Sequence, residues 1–270
     1  VPSDSRFAGS IPELYDTVLV PMMFLDYAED VAAEVAASTP HDVLETAAGT
    51  GAVTRALHRL LPSAMITATD LSPAMLARAA DVLPASDHVR WTPADAQELP
   101  FDDAGFDAVM CQFGAMFFPD RRGAYAEARR VMRPGGRLVL ATWGRIEVNE
   151  ATLAVEDALT TLSLDDPPPF LRRVPFGYTD AAVIRAELDD AGFIDVDIRS
   201  IEHRSRPTSA RDIAIAHCQG TPLANALAER HLDAVQITSE VTRLLEERWG
   251  EEPFTGRLSA NLVSATRVTD

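Results

Sequence analysis

The run Val43-Leu44-Glu45-Thr46-Ala47-Ala48-Gly49-Thr50-Gly51 restricts this chain more than any other stretch. An apolar segment ends in an acidic residue, passes through a loop of small residues, and continues as the helical pattern Ala52-Val53-Thr54-Arg55-Ala56-Leu57. Strand, glycine turn and helix is the order in which an open α/β sheet builds a ligand crevice at a strand's carboxyl end. Gly49 and Gly51 supply positive φ and let a ligand lie against bare backbone. The loop departs from the dinucleotide fingerprint G-x-G-x-x-G, because the third small position counted from Gly49 is Thr54. It does not match a P-loop either.

The same alternation continues downstream. Strands are expected over 43–46, 65–69, 88–92, 106–112 and 137–143, all largely apolar. Helices separate them over 51–61, from Ser72-Pro73 onward, and over 121–132. Ser72 reads as an N-cap and Pro73 as the first helical residue. Apolar strands alternating with helices imply a parallel sheet covered on both faces, and right-handed crossovers make it doubly wound. Upstream, residues 1–10 read as polar and loosely held. Helical spacing over 11–37 is interrupted by Pro21, which predicts a short helix, a break, and a helix over 23–37. Beyond 144 the expectation is a helix over 149–164, a loop at Asp165-Asp166-Pro167-Pro168-Pro169, a helix over 179–191 and a strand over 196–201. A helical region over 208–250, broken near Gly220-Thr221-Pro222, precedes a last strand over 256–268. In that strand Leu258, Ala260, Leu262 and Ser264 alternate with polar or small residues.

Charge and composition narrow the partners. The formal net charge is −17, which repels nucleic-acid backbones and anionic membrane surfaces, so neither is an expected partner. Solubility alone also accounts for such a charge. Every one of the 24 basic residues is arginine, which excludes a Schiff-base lysine, a P-loop lysine and a kinase lysine. Cys111 and Cys218 offer neither metal spacing nor a disulfide framework, so no metal is expected and a reducing cytoplasm fits. No run of ~18 apolar residues is present to span a bilayer.

Five motifs in order give a more specific reading: Glu45-x-Ala47-x-Gly49-x-Gly51, Asp70 closing the second strand, Asp95-Ala96 after the third, Phe106-Asp107 opening the fourth, and Arg133-Pro134-Gly135-Gly136 before the fifth. Together with the run 94–101 they resemble the class I S-adenosylmethionine (SAM) methyltransferases, in the small-molecule group that includes the ubiquinone-biosynthesis type. The first glycine of that family's loop is Ala47 here. The resemblance implies a Rossmann-like, mostly parallel seven-stranded sheet with an antiparallel last strand and helical cap and lid insertions. It implies one domain over 1–270: cap helices in 1–37, for which packing on the side of the sheet is the other reading, a SAM-binding core over 38–144, lid insertions at 145–178 and 202–255, and remaining core elements at 179–201 and 256–268. An added structural layer or a homodimer surface is the alternative role for the insertions.

The resemblance also distributes roles. Asp70 accepts the ribose hydroxyls; its other reading is a charge at the N-terminus of the helix that follows. Asp95 with the Ala96 amide meets the adenine, the plain reading of Asp95 being a turn residue. Leu71 and Met75 flank the base, Met75 having helical core as its alternative. Glu45, Ala47, Gly49, Thr50 and Gly51 form the loop, with Glu45 either pairing with the ligand's ammonium or holding loop amides. Gln112 and Phe113 meet the methionine part. Methyl transfer from a sulfonium is an in-line displacement that depends chiefly on alignment and water exclusion. A general base is required only for a poorly ionised acceptor. Tyr15 and His217 are the catalytic candidates, with His203 and His231 as further histidines in the variable region; a lone histidine on a helix is more often a surface or core residue. Phe24, Phe170 and Phe176 are expected to line the acceptor site. Two other readings stay open: an NAD(P)-dependent oxidoreductase and a SAM-binding protein without catalysis.

Overall fold

The computed structural model describes residues 6–162 and 168–269. Seven strands form one sheet: β1 (Asp42–Glu45), β2 (Met65–Asp70), β3 (Val89–Pro93), β4 (Phe106–Gln112), β5 (Met132–Trp143), β6 (Phe193–Arg204) and β7 (Arg257–Arg267). Their order is β3-β2-β1-β4-β5-β7-β6. β1 to β5 pair in parallel, and β7 runs antiparallel to both β5 and β6. The helices α3 (Ala52–Leu60), α4 (Pro73–Val82), α5 (Arg121–Val131) and α8 (Ala181–Asp190) complete the winding. Val43, Leu44, Ala108, Val109 and Met110 are fully buried, as strands covered on both faces require. The strand order reverses between β1 and β4, and a crevice opens at their carboxyl ends.

Several boundaries differ from the sequence expectation. β5 begins at Met132 rather than at 137, and Pro134-Gly135-Gly136 lies inside the strand. Pairing with β4 shifts register between Phe106 and Ala108 at this point. A Cβ on Gly136 would stand 2.8 Å from the Arg133 carbonyl and 2.9 Å from that of Asp107, so only glycine passes through the irregularity. β6 covers 193–204 instead of 196–201, with a register shift between Ile194 and Asp197. β7 is buried continuously from Leu258 to Ala265 rather than alternating. Both of its faces are covered, by α2 (Leu25–Ala36) and by α6 (Glu150–Thr161).

The N-terminal region also differs. α1 (Ile11–Leu14) passes without a break into a π-helix, Tyr15–Phe24, and then into α2. Pro21 sits inside that π segment. Proline removes an i−4 bond and crowds the carbonyl four residues back, and the wider turn accommodates both. Asp16 anchors the segment to the core through Arg78 at 2.8 Å and Arg55 at 3.4 Å. Residues 6 and 7 are held rather than loose: the Ser72 hydroxyl donates to the Phe7 carbonyl at 2.8 Å, and the Asn225 amide donates to that of Arg6 at 3.0 Å.

The later helical region consists of α9 (Ala210–Cys218), α10 (Leu223–Ala228) and α11 (Ala234–Trp249), with α7 (Phe170–Arg173) before it. The break between α10 and α11 was not expected; Asp233 makes it by accepting the Val235 amide at 2.8 Å as an N-cap. α6 ends at Thr161. Leu164 and the Asp165-Asp166-Pro167 part of the expected loop lie outside the described residues. α9 packs on α6, α11 and the π-helix, which brings both insertions and the N-terminal helices to the same edge of the sheet. Among the described residues no helix is long and apolar enough to cross a membrane.

Candidate functional site

A cavity of about 340 Å³ occupies the crevice at the switch point. One wall is the loop after β1. Ala47 has a φ of 51°, Gly49 of 57° and Gly51 of 80°, so all three alternate loop positions are left-handed. Ala47 stands where the resembling family has its first glycine, and it takes a glycine's conformation. A Cβ on Gly51 would lie 2.5 Å from the Trp91 ring, so a glycine here leaves room for that ring against the loop.

Asp70 closes β2 and lines the cavity. Its Oδ2 accepts the Gly49 amide at 2.8 Å and its Oδ1 the Ser72 amide at 2.7 Å. One side chain therefore fixes both the glycine loop and the entry to α4. Burial raises its pKa, and the two amides oppose that rise. Asp95 and Ala96 line the cavity further along. Asp95 makes the turn expected of an aspartate, with Oδ1 accepting the Gln97 amide at 2.9 Å. Leu71 is 45% exposed and Met75 only 2%, yet both border the same space.

Glu45 and Thr50 lie outside this wall, in a small recess shared with Ala47, Gly49 and Gln112. Glu45 is buried, and the Thr54 hydroxyl donates to its Oε2. Burial pushes its pKa up to about 8, against the opposing pull of Thr54 and Arg55. The Thr50 hydroxyl and Gln112 Oε1 are buried without a partner. Gln112 Nε2 reaches the Phe24 carbonyl at 3.4 Å, and the residue lines both the recess and the cavity. Such an unpaired buried acceptor calls for a donor from a bound molecule.

The far wall is aromatic and comes from the N-terminal helices and the insertions. Phe24, Phe170 and Phe176 converge on the cavity, as do Tyr15 and Phe113. Trp143, at the end of β5, organises them: it stacks on Phe113 at 3.9 Å and on Phe176 at 5.6 Å, and meets Phe24 at 5.5 Å. Burial and the nearby Asp70 and Asp16 carboxylates raise the Tyr15 pKa far above neutrality. His217 lines the cavity, and burial lowers its pKa to about 4. His203 instead pairs with Asp30 at 2.6 Å beside Tyr27, and His231 sits in an exposed turn; neither borders the cavity.

Sequence reasoning missed Phe7, Trp143 and Thr152, all of which border the cavity. Trp143 carried a signal, since it ends a core strand at the edge where the crevice opens. Phe7 and Thr152 carried none, because their places depend on how the flanking segments fold back. Among the described residues no group of three or more histidine, cysteine or acidic side chains is arranged to hold a metal.

A doubly wound sheet with a left-handed glycine loop, an acid on the next strand and a capped crevice defines a nucleoside-binding α/β protein. Comparison with known proteins narrows this. A methyltransferase-domain family model matches residues 44–140. The demethylmenaquinone methyltransferase of Deinococcus radiodurans is 43% identical over 110 residues, covering 40% of this chain and 46% of that protein. The demethylmenaquinone methyltransferase of Staphylococcus aureus (strain JH9) is 30% identical over 172 residues, covering 58% of this chain and 69% of that protein. The chain belongs to the class I SAM-dependent methyltransferases, of the ubiquinone- and menaquinone-biosynthesis type. It spans about half the length of the Deinococcus relative. In fold it is similar to Haemonchus contortus phosphoethanolamine N-methyltransferase 2, solved in complex with phosphomonomethylethanolamine and S-adenosylhomocysteine: TM-score 0.58, 14% identity, covering 95% of this chain and 57% of that one.

Proposed function

We propose that this chain binds SAM in the crevice and transfers its methyl group to a small, largely uncharged organic acceptor. The observation that carries the reading is the unpaired, buried Gln112 Oε1 at the end of β4, in one cavity with Asp70 and Asp95. Three acceptors along one crevice suit a molecule with an ammonium, a ribose and an adenine amino group. On this reading Asp70 holds the ribose hydroxyls, and Asp95 with the Ala96 amide holds the adenine between Leu71 and Met75. Gln112 and Glu45 meet the methionine part, Phe113 floors it, and Ala47, Gly49, Thr50 and Gly51 supply backbone. SAM, when bound, brings an electrophilic methyl on a sulfonium.

What the chain contributes is alignment and exclusion of water, effects worth ~7–11 kcal/mol in well-oriented systems. Residues 11–30 with the described parts of 145–178 and 202–255 serve as the lid, and Phe24, Phe170 and Phe176 line its inner face. An apolar enclosure of this kind suits a small organic molecule rather than a polymer. Two free, buried cysteines are consistent with work in a reducing cytoplasm.

The oxidoreductase reading is disfavoured by Thr54. Its buried side chain is committed to Glu45 beneath the loop, where a dinucleotide site needs a small residue for close helix packing. The test is a screen of small aromatic and aliphatic acceptors with methyl-labelled SAM. Label transferred to an acceptor, with S-adenosylhomocysteine formed in equal amount, is the expected result. Binding of SAM without turnover of any acceptor would favour the non-catalytic reading.

A further inference from the structure

Thr152 and His217 stand together in the wall of the cavity that Asp70 and Asp95 also line, and the SAM reading above gives them no role. Both are buried, at 1% and 2% exposure, and both border the cavity. They come from different insertions: Thr152 from α6 and His217 from the last turn of α9. Thr152 Oγ1 and His217 Nε2 are 3.0 Å apart, and His217 Nδ1 is 2.8 Å from the Ile213 carbonyl oxygen.

The direction of these bonds is fixed by chemistry. A carbonyl oxygen only accepts, so Nδ1 carries the proton. Burial lowers the imidazole pKa to about 4, which leaves the ring neutral and Nε2 a lone-pair acceptor at neutral pH. The Thr152 hydroxyl must therefore donate to Nε2. Thr160 and Thr161 of the same helix turn their hydroxyls back to the Glu156 and Asp157 carbonyls, the usual habit of a helical threonine. Thr152 is used differently. With its proton spent on His217, its oxygen keeps lone pairs alone for a further partner in the cavity that the residue borders. The neighbouring Thr221 hydroxyl donates to the His217 carbonyl at 2.6 Å and accepts the Leu223 amide at 3.2 Å, so it is occupied on both counts.

We infer that Thr152, held as an obligate acceptor by His217, anchors an O–H or N–H of the methyl acceptor, and that the site selects an uncharged, flat compound carrying such a donor. The flatness follows from the Phe24, Phe113, Trp143 and Phe176 rings around the same space. His217 acts as a positioning residue, through Thr152. The inference rests on the reading that this end of the cavity holds the acceptor.

A binding experiment on the full chain saturated with S-adenosylhomocysteine separates the two. The probes are 1-naphthol, which has a hydroxyl donor, and 1-methoxynaphthalene, which has the same ring and only an acceptor oxygen. Calorimetric titration should show 1-naphthol binding at least tenfold more tightly, because sites built for a donor reject analogues lacking it. Thr152→Ser should keep that preference. Thr152→Val and His217→Phe should each reduce it to less than threefold, the latter because the freed threonine proton can now donate to the ether oxygen. A lost hydroxyl that served only structure would change stability and leave the preference intact. Equal affinities in the unmodified chain, no binding of either probe, or a preference that survives Thr152→Val would overturn the inference. Failure of S-adenosylhomocysteine to bind would count instead against the cofactor reading, and is scored before any probe is added.

Discussion

The methyl group of Ala47 sits in the space that a side chain at Gly114 would fill. A Cβ built on Gly114 would lie 2.4 Å from the Ala47 Cβ and 2.7 Å from Cys111 Sγ. Gly114 has an ordinary φ of −102°, so it is a glycine for room and not for conformation. The departure of this loop from the family's first glycine is thus matched across the switch point, where the loop after β1 meets the turn after β4.

Gly114→Ala should therefore destabilise the fold by roughly 1–3 kcal/mol, the usual cost of overpacking a filled site. Ala47→Gly in the same chain should return part of the loss, by relieving one of the two clashes. Thermal or urea denaturation of the two single variants and the double variant gives the coupling, expected at about 0.5 kcal/mol or more. Strict additivity would show that the two positions do not share this space.

Glu45 predicts a pH dependence of opposite sign to that of an ordinary surface carboxylate. Its folded pKa, about 8, lies above the ordinary value of 4.5 because burial penalises the charge. The folded state thus holds this proton more tightly than the unfolded chain does. Its stabilising contribution is complete below about pH 4.5 and is lost as pH rises through about 8, at about 1.4 kcal/mol for each pH unit crossed in between. Glu45→Gln should remove this loss, so the ligand-free variant gains melting temperature relative to the parent between pH 6 and 9. Parallel melting curves for the two chains across that range would contradict the assignment.

Asp70→Asn tests the ribose acceptor. An amide keeps one acceptor oxygen and loses the charge, at ~1.5–3 kcal/mol for each charge-assisted bond given up. SAM affinity should fall at least tenfold. Part of that fall comes from the Gly49 and Ser72 amides, so the ligand-free melting temperature should drop as well. Unchanged affinity by calorimetry would remove Asp70 from the site.

Much of this was legible in the sequence, and the reasons are local. The order of β1 to β5, the Ser72-Pro73 helix start and the placing of Asp70 all follow from residues adjacent in the chain. The roles that failed to read depend on distant segments. Pro21 predicts a break on local grounds, yet the helix widens and continues because the buried residues on both sides of the proline pack against the core. Phe7 is polar-flanked and looks loose, yet Ser72 and α10 hold its segment over the crevice. β7 reads as half-exposed, yet α6 covers it. Thr152 and His217 are 65 residues apart and meet only after both insertions fold.

Replacing Phe24, Phe170 or Phe176 singly with leucine tests the lid without emptying it; alanine at the fully buried Phe170 would cost ~3–5 kcal/mol of stability and confuse the result. Each variant should alter KM or kcat for an acceptor found by the screen while SAM affinity stays within about threefold. Normal turnover by all three would place the acceptor site elsewhere.

The most direct test of the central claim is ligand-dependent stability of the unmodified chain. Melting temperature is measured alone and with SAM, S-adenosylhomocysteine, NAD or NADP. SAM and S-adenosylhomocysteine should each stabilise the fold, by about 2.7 kcal/mol at a concentration 100 times Kd. NAD and NADP should leave it unchanged. Stabilisation by NAD or NADP with none from SAM or S-adenosylhomocysteine would contradict the account.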